Sequence, residues 1–353
     1  MVRAFFITFA PEIIMAKKGV LLVNLGTPDS PSTADVRKYL DEFLMDPRVI
    51  DVNPILRTFL VKTVIVPFRA PKSAKLYQAI WDKETGSPLL HYSLLQQAAL
   101  QQRLGDEYMV ELAMRYQSPS IESALQRLKD ALVSEIQVIP LFPQYASAST
   151  GSVHEKIMRL VKEWQTIPDI SFINSFHDNE LMIETFADNA QKYNPDTYDH
   201  ILFSFHGLPQ RQLKKCDHTH SYCLQVDGCC NTLNDTNKLC YSAQSHDTAR
   251  LIANKMNLPR EKFTVCFQSR LGSDPWVQPY TSEVIAQLAK EGKKRLLVFC
   301  PAFVSDCLET VFEVTHEYGD EFKALGGQHV QLVESLNDSP KWIEALEKMV
   351  LEG

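Results

Sequence analysis

The sequence predicts an α/β protein made of two similar Rossmann-like units, each a parallel sheet flanked by helices, with a cleft between them. Three observations predict it. Short β-rich apolar runs alternate with longer stretches of helical periodicity, the pattern of mainly parallel sheets. The length, 353 residues, suits two domains of ordinary size. The two halves also resemble each other: LLVNLGTPDSP (21–31) parallels ILFSFHGLPQR (201–211), with Gly26 and Pro28 answered by Gly207 and Pro209. In the same way MVELAMRYQSPS parallels FTVCFQSRLGSDP, and IQVIPLFPQYAS parallels LLVFCPAFVSD. Each pair reads as a strand, a Gly- or Pro-bearing loop and a helix. In such folds sites lie beyond the carboxyl ends of the strands, often between domains.

Apolar runs place strands at 20–24, 110–113, 136–141, 170–174, 200–205, 263–267 and 296–300. Helices fill the intervals, for example 33–44 with Ser32 or Thr33 as cap, 120–134, 153–163 and 282–290. The expected domains are 15–165 and 166–353, the second holding a cysteine-rich insertion at 214–242. A last helix near 339–351 is expected to pack back on the first domain. Residues 1–14 contain an apolar patch broken by Pro11 and Glu12, with no small-residue cleavage site after it. They are expected to be disordered or to precede a true start at Met15; the other reading is a short amphipathic membrane contact.

The 45% hydrophobic and 22% charged fractions are those of a soluble globular chain. The formal charge is −7 and no long basic run interrupts it, which argues against a nucleic-acid partner. No run approaches the roughly 18 apolar residues that span a bilayer.

Two segments have the makings of a reactive site. SFHGLP puts His206 at the end of a strand, directly before Gly207. An imidazole titrates near about 6.5, which suits proton transfer or metal contact at neutral pH. The bland alternative is a capping or core histidine bonded to backbone. VSDCLETVFEV follows the last strand of the list above and starts a helix. Glu309 and Glu313 are four residues apart on one face, with Asp306 a turn before them. Three carboxylates on one stripe suit a hard cation or the protons it displaces. The bland alternative is a solvated helix face with Asp306 as its cap, although Val311, Phe312 and Val314 argue for burial.

Five of the eight cysteines, Cys216, Cys223, Cys229, Cys230 and Cys240, fall in one polar segment with His218 and His220. Packing does not explain thiols among Asp, Asn and Thr, and no export signal favours disulfides. A [2Fe–2S] cluster, a structural zinc and free thiols are the three readings, and four of the five cysteines would suffice for a metal.

Taken in order, NLGTPDSP, KETGSPL, MRYQSPS, PLFPQYASASTGS, SFHGLP, QSRLGSDPWVQPYT and SDCLETVFE resemble the motifs of ferrochelatases. The likeness runs from about residue 18 to the end of the chain. It implies a lyase of haem biosynthesis that inserts Fe²⁺ into protoporphyrin IX with release of two protons. His206 resembles the family's active-site histidine, where metal exchanges with pyrrole protons. Glu309 resembles its carboxylate partner across the pocket, and Glu313 a second carboxylate on a proton or metal path. His206 and Glu309 are thereby the expected contacts of the substrate Fe²⁺. Arg115 matches a pocket arginine. Arg69, Lys72, Tyr77 and Ser87 match the lip that holds the porphyrin propionates, and Leu25, Tyr145 and Trp276 match residues packing on the macrocycle. Cys307 stands where many relatives carry histidine, as it does in other bacterial members.

Some ferrochelatases hold a [2Fe–2S] cluster. In animal relatives its ligands lie in a C-terminal extension and the PQY segment, which reads Ala146-Ser147 here. The resemblance therefore places any cluster in the internal insertion, as a structural brace or a sensor of iron and oxidants. The expected location is the cytoplasm or the inner face of the inner membrane. The apolar stretch 56–68 would be either a peripheral membrane contact or the inner wall of the cleft. Hand-over from a preceding haem-pathway enzyme is a further partner expectation. The rival readings are a coproporphyrin or sirohydrochlorin metal chelatase, a porphyrin or haem carrier with redox-sensing cysteines, and an iron–sulfur redox protein.

Overall fold

KGVLLVNLG forms β1 (Lys18–Gly26), whose interior residues are almost all buried regardless of which way they face. That is the mark of a central strand covered on both sides by helices. The computed structural model describes residues 17–270, 272 and 274–352, so the expectation for residues 1–14 lies outside the described residues. After β1 come α1 (Thr33–Met45), α2 (Pro54–Phe59), a π-helical stretch at Leu60–Ile65 and α3 (Val66–Ile80). The first half continues with α4 (Pro88–Leu104), β2 (Tyr108–Tyr116), α5 (Ile121–Asp130), β3 (Glu135–Pro140), α6 (Ser152–Val161) and β4 (Asp169–Phe172). α7 (Glu180–Gln191) leads into the second half: β5 (His200–His206), α8 (Gln210–Cys216), α9 (Tyr241–Lys255), β6 (Phe263–Gln268), α10 (Thr281–Lys290) and β7 (Arg295–Phe299). A long π-helix (Leu308–Tyr318) then precedes α11 (Gly319–Ala324), β8 (His329–Leu332) and α12 (Pro340–Glu352).

The two sheets are copies in topology. The first has the order β2-β1-β3-β4 and the second β6-β5-β7-β8, with every pairing parallel. In each, the chain reverses its direction of winding at the first strand, so a crevice opens beyond the strand ends there. This explains the paired sequences, and the structure adds another: FINSFHDNELMIE (172–184) and LVESLNDSPKWIE (332–344) both leave the last strand of a sheet for a helix. The halves share a core that runs from Val20, Leu22 and Leu112 to Phe203, Phe205 and Trp342. α12 lies against α4, where Arg103 pairs with Glu347 at 2.6 Å, and Gln137 donates to the Met349 carbonyl at 2.9 Å.

Three local expectations change. The break expected at 165/166 falls before β4, which pairs with β3 and completes the first sheet. The helix expected over 120–134 stops at Asp130, because Leu132 takes a left-handed φ of 55°. β8 was absent from the expected strands: it is a four-residue edge strand in which His329 and Gln331 alternate with Val330 and Leu332, too short for an apolar run. Between Ser32 and Thr33, the cap of α1 is Ser32, whose hydroxyl accepts the Asp35 amide at 3.1 Å.

Candidate active site

The carboxyl ends of both sheets open on one cavity of about 1080 Å³. Gly26 and Thr27 at the end of β1, Leu141 and Phe142 after β3, and Gly207 and Leu208 after β5 all line it. That volume is at the upper end of ordinary small-molecule pockets, about 300–1,000 Å³, and suits a macrocycle. Gly26 is a requirement of the geometry: at φ 116° an added Cβ would fall 2.1 Å from the Tyr116 carbonyl of the neighbouring strand.

His206 is half-buried on the cavity wall at the end of β5. Its Nδ1 is 2.7 Å from the Gly207 carbonyl, which can only accept. Nδ1 therefore holds the proton, and the Nε2 lone pair is left as the basic site. The Trp276 ring lies beside it, 6.4 Å between centroids.

The segment expected to be an ordinary α-helix is the π-helix Leu308–Tyr318. Its i→i+5 bonding gives a wider turn, in which residues four apart still share a face. Glu309 and Glu313 both line the cavity, and Glu317 continues the row. Glu309 reaches across to the first half, where its charge raises the phenol pKa of Tyr39 and of Tyr77, after burial, the leading cause in each. Glu313 accepts from the Ser269 amide at 3.1 Å and hydroxyl at 2.8 Å, from Tyr318 at 2.8 Å and from Gln268 at 3.2 Å. Burial pushes its pKa up, and the Glu309 charge adds to this; the Ser269 and Tyr318 bonds and nearby His206 pull it back.

Asp306 leaves the expected stripe. Its buried carboxylate accepts from Thr310 at 3.0 Å, the Ser335 amide at 3.2 Å and Asn337 at 2.8 Å, tying the π-helix to the loop before α12. It precedes the helix, whose cap is Cys307, so its direction is set by that loop and not by the helical repeat.

Of the other expected residues, Leu25, Arg69, Tyr77, Ser87 and Trp276 line the cavity. Arg115, Lys72 and Tyr145 are not on its wall. Arg115 is buried in an ion pair with Asp46 at 2.5 Å and donates to Ser152 at 2.6 Å, joining β2 to the end of α1 and the start of α6. Lys72 is exposed on the outer side of α3. Gln144 and Ala146 line the cavity, whereas the half-buried Tyr145 between them does not. Sequence reasoning did not single out Gln268 and Ser269, which hold Glu313. A polar pair at the end of an apolar strand was the available signal. Glu317 could have been found by extending the spacing of four.

The ferrochelatase family model matches residues 17–353. The chain belongs to the ferrochelatase family. It is 44% identical over 338 residues to a ferrochelatase of Legionella pneumophila strain Lens, spanning 95% of this chain and 99% of that protein. A ferrochelatase of Coxiella burnetii strain Dugway 5J108-111 is 42% identical over 337 residues, spanning 94% and 93%. Among solved structures, SirB from Bacillus subtilis with Fe³⁺ has a TM-score of 0.51 at 14% identity, covering 95% of both chains, a likeness of fold alone. The activity is that of a metal-inserting lyase of haem biosynthesis.

The chain also folds its cysteine segment into a definite shape. Asp217 accepts the amides of Thr219, Tyr222 and Cys223 at 2.8–2.9 Å, and Asn237 donates to the carbonyls of Cys229 and Thr232 at 2.8 Å. Cys216, Cys223, Cys229 and Cys240 border one void of about 10 Å³. The neighbouring Cys223 and Cys230 thiols and the amides of Ala243 and Ser242 favour a charged Cys240 sulfur and, against burial, bring its pKa down to about 3. Its thiolate is thus favoured, as in a metal ligand. Cys230 stands off the void, 3.3 Å from the Ser242 hydroxyl. Among the described residues no three His, Cys, Asp or Glu side chains stand in coordinating arrangement. The donor set is of the kind that holds a thiolate-bound group, but the thiols do not stand in a ligating arrangement.

The raised Glu313 pKa has a consequence for stability. The folded protein holds a proton there at pH values where the unfolded chain has released it. The associated stabilisation is complete below the unfolded carboxyl value, about 4.3, and is lost as pH rises through the folded midpoint. Infrared spectra should show a protonated carboxyl band that persists above about pH 4.3 and is weaker in Glu313→Gln. Identical bands in both proteins would refute the assignment.

Proposed function

We propose that the cavity binds protoporphyrin IX and that His206 Nε2 takes the pyrrole protons that ferrous iron displaces. The observation that supports this most is one histidine, with its proton fixed on Nδ1, facing the same cavity as Glu309 and Glu313. Exchange of 2H⁺ for Fe²⁺ requires a base and a place for two positive charges in transit. Glu309, opposite, balances charge beside the iron, and Glu313, near His206 and raised in pKa, receives protons from it. Leu25 and Trp276 pack on the ring faces, and gripping the macrocycle there helps tilt its nitrogen lone pairs out of plane. Arg69, with Tyr77 and Ser87, meets the propionates; Ser87 is held by the Thr27 hydroxyl at 2.9 Å.

Loss of porphyrin fluorescence under anaerobic conditions measures the reaction. His206→Ala should lower the rate about 10²- to 10⁴-fold, the usual worth of a general base, while the porphyrin still binds. A variant as fast as wild type would remove His206 from this role.

The outer side of the segment 55–68 is the proposed membrane contact. Ile55, Phe59 and Phe68 are exposed there at 82%, 58% and 72%, with Lys62, Lys72 and Lys75 beside them. Leu60, Ile65 and Leu76 of the same helices line the cavity, so a porphyrin leaving a bilayer would meet the cleft directly. Sedimentation with vesicles containing anionic lipid should pull down wild type, and Phe59→Asp/Phe68→Asp far less. Equal binding would rule the patch out. No helix among the described residues is long and apolar enough to cross a membrane.

The cysteine segment is proposed to hold a [2Fe–2S] cluster on Cys216, Cys223, Cys229 and Cys240, the four thiols that share a void. Such a group, when bound, supplies a one-electron redox centre, whereas metal insertion itself changes no oxidation state. Cys230→Ser should keep bound iron, acid-labile sulfide and visible absorption, and serine at any of the other four should lose them. Loss in Cys230→Ser would refute this choice of ligands.

A further inference from the structure

We propose that Tyr241 is a positioning residue for the reaction: its hydroxyl holds the peptide between residues 206 and 207 in the orientation that presents His206 to the cavity. The inference rests on the reading of His206 as the base.

The Tyr241 hydroxyl donates to the His206 carbonyl at 2.8 Å. The other end of that peptide unit, the Gly207 amide, donates to the Gln268 carbonyl at 2.8 Å. The peptide plane is thus pinned at its oxygen by Tyr241 and at its nitrogen by Gln268. The next carbonyl along, that of Gly207, is the acceptor for His206 Nδ1. Rotation of the pinned plane would therefore carry the imidazole's own anchor with it. The seat is close as well: a Cβ on Gly207 would lie 2.8 Å from the Gln268 carbonyl and 3.1 Å from the Trp276 ring.

Tyr241 itself has little freedom. It is buried and is the first residue of α9, directly after Cys240, the residue that caps that helix. Ser242, next along, meets the Cys230 thiol. The first turn of α9 is thereby gripped by the cysteine segment on one side and by the strand-end peptide of His206 on the other. Tyr241 is part of the cavity wall, and its one polar atom is used on the histidine's backbone.

Anaerobic iron-insertion kinetics of wild type, Tyr241→Phe, His206→Ala and the double variant test the idea, with thermal melts of each. Tyr241→Phe is expected to lower kcat per folded molecule about 3- to 30-fold, the effect of a small misplacement of a reacting group. KM for porphyrin and for iron should stay within about twofold, since no substrate contact is removed. In the His206→Ala background the same change should have no effect on the residual rate. A residue that only stabilises the fold would lower the melting temperature and leave kcat as it was. An unchanged kcat in Tyr241→Phe overturns the proposal, as does an equal fold-loss with and without His206. If His206→Ala keeps the wild-type rate, the reading of the base fails first and this inference with it.

Discussion

The Gln268 side chain, buried at the end of β6, joins the two chemical walls of the cleft. Its Oε1 accepts from Ser204 at 2.7 Å, and its Nε2 donates to the Glu309 carbonyl at 3.1 Å and the Glu313 carboxylate at 3.2 Å. Its main-chain carbonyl accepts from Gly207, and Ser204 is held in turn by Thr281 at 2.9 Å. β5, β6, α10 and the π-helix thus meet on one amide. An amide offers a donor to the carboxylate and an acceptor to the serine at once. A carboxylate here would repel Glu313, and an apolar side chain would leave buried partners unpaired.

The π-helix that Gln268 anchors has a second constraint. Placing the half-buried Glu309 and Glu313 along one wall of a largely apolar cavity sets like charges near one another where water is scarce. Such charges interact more strongly than they would in solution. The structure answers by sharing them out: Glu313 is saturated with donors and raised in pKa, while Glu309 faces the tyrosines of the opposite half. Asp306 serves instead to fix the helix to the chain before α12. The result is an acidic wall with a fixed anchor along one side of the cavity.

Much of this was legible in the sequence. Seven of the eight strands were apparent as apolar runs, and the paired loops announced two equivalent sheets. His206 was visible because a strand end followed by Gly exposes a side chain, and Glu309 and Glu313 because spacing of four survives in either kind of helix. The misses have physical causes. β8 is an edge strand with alternating polarity. The π-helix has no signature in a periodicity of that length. Asp306 is steered by Asn337, thirty-one residues further on. Arg115 and Tyr145 flank cavity segments but face the other way, Arg115 toward Asp46 and Tyr145 toward the side where Cys216 lies. Motif position locates a residue on the chain, and only the neighbouring strand and loop decide which side of it the side chain takes.

The cysteine segment follows the same logic at longer range. Its turns are built by Asp217 and Asn237, whose side chains bond backbone amides and carbonyls within the segment. Its connection to the cleft runs through α9: Cys240 caps the helix, and Tyr241 grips the His206 peptide. Metal insertion exchanges protons for Fe²⁺ and moves no electron, so a redox change at the thiols has nothing to contribute to the reaction as an electron. It can act on His206 only as a displacement. A shift of the first turn of α9 would move the peptide that carries the histidine's own hydrogen-bond acceptor.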